Sequence, residues 1–211
     1  MNYAALVLFL LLPFSISQAN SNTWQLKHDA NGIQVSQQAT TSGYAITRGS
    51  VEVDSSVDAL ITVIQDNSAC HRWLHQCRQS RLVQQINQKT RLDYFVIDAP
   101  FLYADRDMYT HSELTFDQVN QTLLISILGK EAYDKGKPKR VRIKDLKGFW
   151  RMKKLSANKT AVTYQVYNNP QIAPSGFLNN VLANSVFHTL SKLEKVSKEN
   201  KYRDAQIIEL K

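Results

Sequence analysis

From Ser175 onward, Leu178, Leu182, Val186, Leu190 and Leu193 recur at helical spacing, Val181, Thr189 and Val196 widen the stripe, and Asn184, Lys192, Glu194 and Lys195 face the other way. The period predicts one amphipathic helix running to about Lys198. So wide an apolar face has to lie across something apolar. The preceding chain alternates with a period of two over Gly32 to Gln38 and Tyr44 to Val53, which read as a strand pair. Asp54 or Ser55 then caps a helix with Val57, Leu60, Ile61 and Ile64 on one face, and a second short helix or turn carries Cys70, Trp73 and Cys77. Strands are predicted over Arg81 to Ile86, Thr90 to Asp98, Asp107 to Phe116, Thr122 to Leu128, Arg140 to Leu155 and Thr160 to Tyr167. Turn chemistry separates them at Asn87-Gln88, Ala99-Pro100, Asp117 to Asn120 and Ser156 to Asn158. The fold class is α+β: a curved antiparallel sheet whose concave face is gripped by the closing helix, a geometry that commonly encloses a cavity.

Strand parity names side chains for the lining of such a cavity. Leu92, Tyr94 and Val96 share one face of their strand, and Arg106 shares the inward row of the next with Met108, Thr110, Ser112 and Leu114. A guanidinium on that row needs either a carboxylate partner, with Asp105 and Asp107 as neighbours, or an anionic headgroup to hold. Leu123 to Leu128 is apolar on both faces, which fits a strand lining a cavity or covered by a second layer, and equally an ordinary core. Trp150, Tyr164 and Tyr167 supply flat walls with polar tips.

The order Trp73-Leu74, Tyr94, Asp105-Arg106-Asp107, Val141-Arg142, Gly148-Phe149-Trp150, Val162-Thr163-Tyr164 and a terminal helix resembles the StAR-related lipid transfer (START) family of the helix-grip, Bet v 1-like superfamily. The resemblance spans about Trp24 to about Lys198, and order and spacing carry it. It implies a sheet wrapped around the C-terminal helix, with a tunnel for one lipid, sterol or other apolar molecule. The family's arginine-aspartate pair matches Arg106 and Asp107, and its tryptophan ahead of the central strands matches Trp73. Where many members have aspartate and paired glycines before the last helix, this chain has Asn168-Asn169-Pro170 and Pro174-Ser175-Gly176, so the loop at the tunnel mouth departs from the pattern. The expected ligand-binding residues are Trp73, Tyr94, Arg106, Met108, Trp150, Tyr164, Leu178, Leu182 and Val186.

The N-terminus bears on compartment. Ala4 to Leu12 is apolar and uncharged, Pro13 follows, and Ser17-Gln18-Ala19 offers the small residues a signal peptidase reads. The expectation is a signal peptide over 1–19 cleaved after Ala19, a START-like lipid-binding domain over 20–211, and a periplasmic or secreted location; an uncleaved anchor is the other reading. The formal net charge of +8 lies wholly outside that leader. It concentrates at Lys135, Lys137, Lys139, Arg140, Arg142, Lys144, Lys147, Arg151, Lys153, Lys154 and Lys159, opposed by little more than Asp145. An anionic membrane surface suits such a region, as does a solvated face that blocks edge aggregation, whereas export argues against nucleic acid.

Cys70, His71, His75 and Cys77 form the one cluster with metal-site chemistry, the histidines sharing a helical face. With two cysteines in an oxidising compartment a Cys70–Cys77 disulfide is the simpler reading, beside free thiols and zinc. An unbroken helix would hold their Cα atoms about 10 Å apart, so a bridge requires the helix to end before Cys77. Both histidines are expected to face solvent, and no metal or cofactor is expected. No Gly-x-Ser-x-Gly elbow, His-Glu-x-x-His, P-loop or dinucleotide fingerprint occurs, and His111 with Glu113 lies on the outward parity of its strand. Binding, with possible transfer, of a hydrophobic molecule leads; cyclase-like or hydrolytic chemistry in the same cavity and a ligand-free basic interaction module are the alternatives. The enzyme needs inward titratable groups, so a polar lining of Arg106 and hydroxyls alone would exclude it.

Overall fold

The computed structural model describes residues 23–99, 102–131, 139–171 and 174–206. The expected leader, Lys135 and Lys137 lie outside the described residues. The chain runs β1 (Trp24–Ala30), β2 (Ile33–Gln38), β3 (Ile46–Val53), α1 (Val57–Gln65), a 3-10 turn at Asn67–Ala69, α2 (Cys70–Trp73), β4 (Cys77–Gln85), β5 (Thr90–Ile97) and β6 (Asp105–Asp117). It continues through β7 (Thr122–Lys130), β8 (Arg140–Arg142), β9 (Leu146–Ser156), β10 (Lys159–Asn168), α3 (Ser175–Ser197) and α4 (Asn200–Arg203). One sheet has the order β1-β2-β3-β10-β9-β7-β6-β5-β4, every neighbour antiparallel, while β8 pairs in parallel with β6 off that path. The long α3 lies against β2 and β3, with α1 and α2 beside it, which is the helix-grip arrangement.

Three boundaries differ from the sequence expectation for physical reasons. β1 was not expected: its residues are exposed or half-buried with no buried position, as suits an edge strand that no amphipathic pattern marks. The segment Arg140 to Leu155 is two strands, because Ile143 donates its N–H to the Asp107 carbonyl at 2.9 Å and the chain leaves β6 there before joining β7. The cap of α1 is Ser56, whose Oγ accepts from the Ala59 N–H at 3.1 Å, not Asp54 or Ser55.

The two halves of α3 do different work. Val186, Leu190, Leu193 and Val196 are buried in one solid cluster with Val35, Val51, Val53, Leu60, Ile61 and Tyr202. A Cβ on Gly49 of β3 would come within 2.6 Å of Val186 Cγ1 and Leu190 Cδ1, so glycine is what lets the helix sit this close. The first half is tied down by polar contacts instead: Asn179 donates to Gly43 O at 3.0 Å and accepts from Ala45 N at 2.8 Å, and its carbonyl accepts from Gln37 at 2.6 Å. Leu178, Val181, Leu182 and Ser185 on that half face open space.

α2 ends at Trp73 and Gln76 takes a left-handed φ of 62°, which turns the chain into β4 and joins Cys70 to Cys77 in a disulfide with Cα atoms 5.8 Å apart. The bridge closes a loop of sequence separation 7. Replacing both cysteines by serine is expected to lower unfolding free energy by on the order of 2 kcal/mol, read from urea denaturation midpoints, as loop-closure entropy for so short a loop predicts.

Candidate functional site

Between the first half of α3 and the sheet lies a cavity of about 220 Å³. Its floor follows β5 and β6, where the cross-strand pairs Ile97/Arg106, Phe95/Met108, Asp93/Thr110 and Arg91/Ser112 all line it in succession. Three two-residue steps at about 3.4 Å per residue make this row roughly 20 Å long. Ile125, Ile127, Trp150 and Tyr164 continue the floor across β7, β9 and β10; Trp73 and His75 form a side wall and α3 the roof. Trp150 stacks on Tyr164 with ring centroids 3.9 Å apart and meets Trp73 edge-on at 6.0 Å, which stiffens one wall.

Of the residues expected to bind ligand, Trp73, Arg106, Met108, Trp150, Tyr164, Leu178 and Leu182 line this cavity. Val186 does not; it is buried against Gly49 of β3. Tyr94 does not either. The face carrying Leu92, Tyr94 and Val96 is the outer one, where these residues pack with Tyr109. The more apolar row of β5 is the outer one, while the inner row mixes Arg91 and Asp93 with Phe95 and Ile97, so alternation alone points the wrong way; the register decides, since Phe95 stands opposite Met108 while Tyr94 stands opposite Tyr109. Arg91, Asp93, Phe95 and Ile97 were therefore missed, and the available signal was the inward row already assigned to Arg106. The outer side of β7 has no covering layer at Leu128, which is 46% exposed.

The two cations of the floor are held differently. Arg91 forms a two-point ion pair with Asp93 at 2.6 and 2.8 Å and donates to Gln65 O at 3.1 Å, while Asn67 bridges Asp93 and Ser80. Arg106, only 6% exposed, donates from Nε and Nη2 to Pro170 O at 3.2 and 3.0 Å and from Nη1 to Ala104 O. Among the described residues no carboxylate lies within ion-pair distance of it. Burial pushes its pKa below the ordinary arginine value, against the opposing pull of Asp105. Asp107, the neighbour expected as a possible partner, points to the other face: it pairs with Arg142 at 2.6 Å and accepts from Tyr94 Oη at 2.8 Å, while Arg140 donates to that hydroxyl at 3.1 Å. The adjacent arginine and aspartate thus serve opposite sides of the sheet.

His75 departs from its expected solvent position. It is half-buried at the cavity wall, its ring 4.9 Å from that of His188, its backbone N–H on Thr189 Oγ1 at 3.1 Å and its Nδ1 buried without a partner. Burial, then Lys192 and His188, push its pKa below the ordinary 6.5. A depressed folded-state pKa means the unfolded chain binds the extra proton first, so His75's contribution is full above 6.5 and is lost as pH falls through 6.5 toward the folded value. Thermal stability is expected to fall between neutral and mildly acidic pH, and His75→Gln should flatten that part of the profile. Among the described residues no group of three or more His, Cys, Asp or Glu side chains is placed to hold a metal ion.

No protein-family model matches the chain. An uncharacterized protein of Pseudomonas aeruginosa is 25% identical over 185 residues, covering 86% of this chain and 90% of its own. Among solved structures, a fragment of the STAR-related lipid transfer protein of Xanthomonas axonopodis superposes with a TM-score of 0.76 at 24% identity, over 83% of this chain and 99% of the fragment. Human StAR-related lipid transfer protein 5 superposes with a TM-score of 0.72 at 16% identity, over 85% of this chain and 88% of its own. The chain has the fold of the StAR-related lipid transfer domains.

Proposed function

We propose that this protein encloses one hydrophobic molecule between the first half of α3 and the sheet, and carries or presents it outside the cytoplasm. The observation that carries the reading is the division of α3: the same amphipathic stripe packs solidly from Val186 onward yet roofs a cavity of about 220 Å³ from Leu178 to Ser185. A well-packed core of this size has few voids larger than a water, so a hollow lined by Trp73, Met108, Ile125, Trp150 and Leu182 calls for an occupant. The STAR-related lipid transfer proteins that share the fold support a lipid-like guest. The leader-like pattern of residues 1–19 and the Cys70–Cys77 bridge support the location. Lys147, Arg151 and Lys153 on the outer face of β9 supply charge for docking on an anionic leaflet.

A second reading, chemistry on an apolar substrate, gains from the lining: Asp93 and His75 are inward titratable groups, so Arg106 and hydroxyls are not its only polar members. Against it, Asp93 is held in its ion pair with Arg91. Native mass spectrometry of the protein purified from its own cells is expected to show one small hydrophobic molecule per chain, recovered chemically unchanged after incubation. A chain that carries nothing and takes up no apolar probe contradicts the proposal, and conversion of the guest during incubation selects the second reading.

A further inference from the structure

We propose that the cavity is built for a single-chain monoanion, a medium-chain carboxylate whose acid group pairs with Arg106 and whose tail runs along the β5–β6 floor. The inference rests on the cavity being a ligand site and adds the class of ligand.

Size comes first. A protein cavity of about 150 Å³ holds one benzene. The cavity here, about 220 Å³, has room in the same proportion for roughly nine carbons of one chain. Two acyl chains with a glycerol do not fit. Its shape agrees, since the floor is a single row of cross-strand pairs and the apolar side chains Ile97, Phe95 and Met108 sit in its half nearest Arg106.

Charge fixes the head. The two ends of the row each carry an arginine, but Arg91 is neutralised by Asp93 at 2.6 Å, whereas Arg106 meets only the carbonyls of Pro170 and Ala104. Carbonyls satisfy N–H groups without balancing a buried positive charge, and that desolvation cost is what an anion offsets. A guanidinium has five N–H donors. Three are engaged by these carbonyls, which leaves one on each terminal nitrogen for the two oxygens of a carboxylate. Beyond Arg106 the lining turns apolar at Phe95, Met108, Ile127 and Leu182, the surface an alkyl tail requires.

The test is a displacement titration on the whole protein with decanoate, decanol, decyl phosphate, a series of carboxylates of rising length, and vesicles of a diacyl phosphatidylglycerol, at a pH where the acids are ionised. Decanoate is expected to bind at least about ten-fold more tightly than decanol, the worth of a charge-assisted hydrogen-bonded pair. Affinity should peak between about eight and about twelve carbons. Arg106→Met should bring decanoate down to the level of decanol and leave decanol unchanged. Because the comparison of decanoate with decanol is made on the unaltered protein, it stands even if that variant fails to fold. Equal affinity for acid and alcohol overturns the head-group assignment while the cavity reading survives; binding of neither overturns both. Preference for decyl phosphate over decanoate overturns the carboxylate, and extraction of the diacyl lipid overturns the single chain.

Discussion

Ser185→Trp is expected to lower the affinity for an apolar probe at least about a hundred-fold while leaving the ligand-free protein folded. Ser185 sits on the roof, on the half of α3 that faces the cavity, so the new side chain points into existing space and not into packed neighbours. An indole is larger than the benzene that a cavity of about 150 Å³ admits. It therefore consumes most of the about 220 Å³ present. Filling a void adds buried apolar surface, so the unfolding midpoint should hold or rise by an amount worth about 1 kcal/mol. Loss of binding with retained stability separates occupancy of this cavity from a generally damaged fold. Undiminished binding would place the ligand elsewhere.

Trp150→Ala is expected to be the most destabilising single change in the cavity wall. Trp150 is 2% exposed, stacks on Tyr164 and touches Trp73 edge-on, so its removal takes out one ring of a three-ring wall. Truncating a buried tryptophan costs about 3 to 5 kcal/mol. Because one side of this ring already borders the cavity and has fewer neighbours to lose, the lower end applies, and at about 2 to 4 °C per kcal/mol the melting temperature should drop by roughly 10 °C. Calorimetry checks the value. A change under about 1 kcal/mol would mean that the wall is not packed as described.

The sequence made the grip legible because α3 carries its pattern in full: a helical stripe from Leu178 to Val196 with no competing period. It made β6 legible for the same reason, since Arg106, Met108, Thr110 and Ser112 alternate with residues of the opposite face. β5 was illegible because its more apolar row, Leu92, Tyr94 and Val96, faces outward while the inward row carries Arg91 and Asp93, and only pairing with β6 orients them. The division of α3 into a solid half and a hollow half was illegible too: Leu182 and Leu190 are the same residue in one broad apolar stripe, and the sequence does not show what stands opposite each. The partner of Asp107 could not be read from proximity, because Arg106, adjacent in sequence, is on the other face while Arg142 reaches it through the parallel pairing of β8 with β6. His75 is expected in solvent from the sequence, but α2 already ends at Trp73 and the turn at Gln76 sets His75 against α3, its N–H on Thr189.

The most direct test of an occupied hollow uses the tryptophans already in its wall. Of the three in the chain, Trp73 and Trp150 line the cavity, while Trp24 lies on edge strand β1 under Arg48. In a Trp24→Phe background, titration with a single-chain carboxylate brominated along its tail should quench the remaining fluorescence saturably, with an end point of one probe per chain, and Ser185→Trp introduced into that background should prevent uptake. Quenching that rises without saturation, or none at all while the probe binds by another readout, would contradict an enclosed site against Trp150.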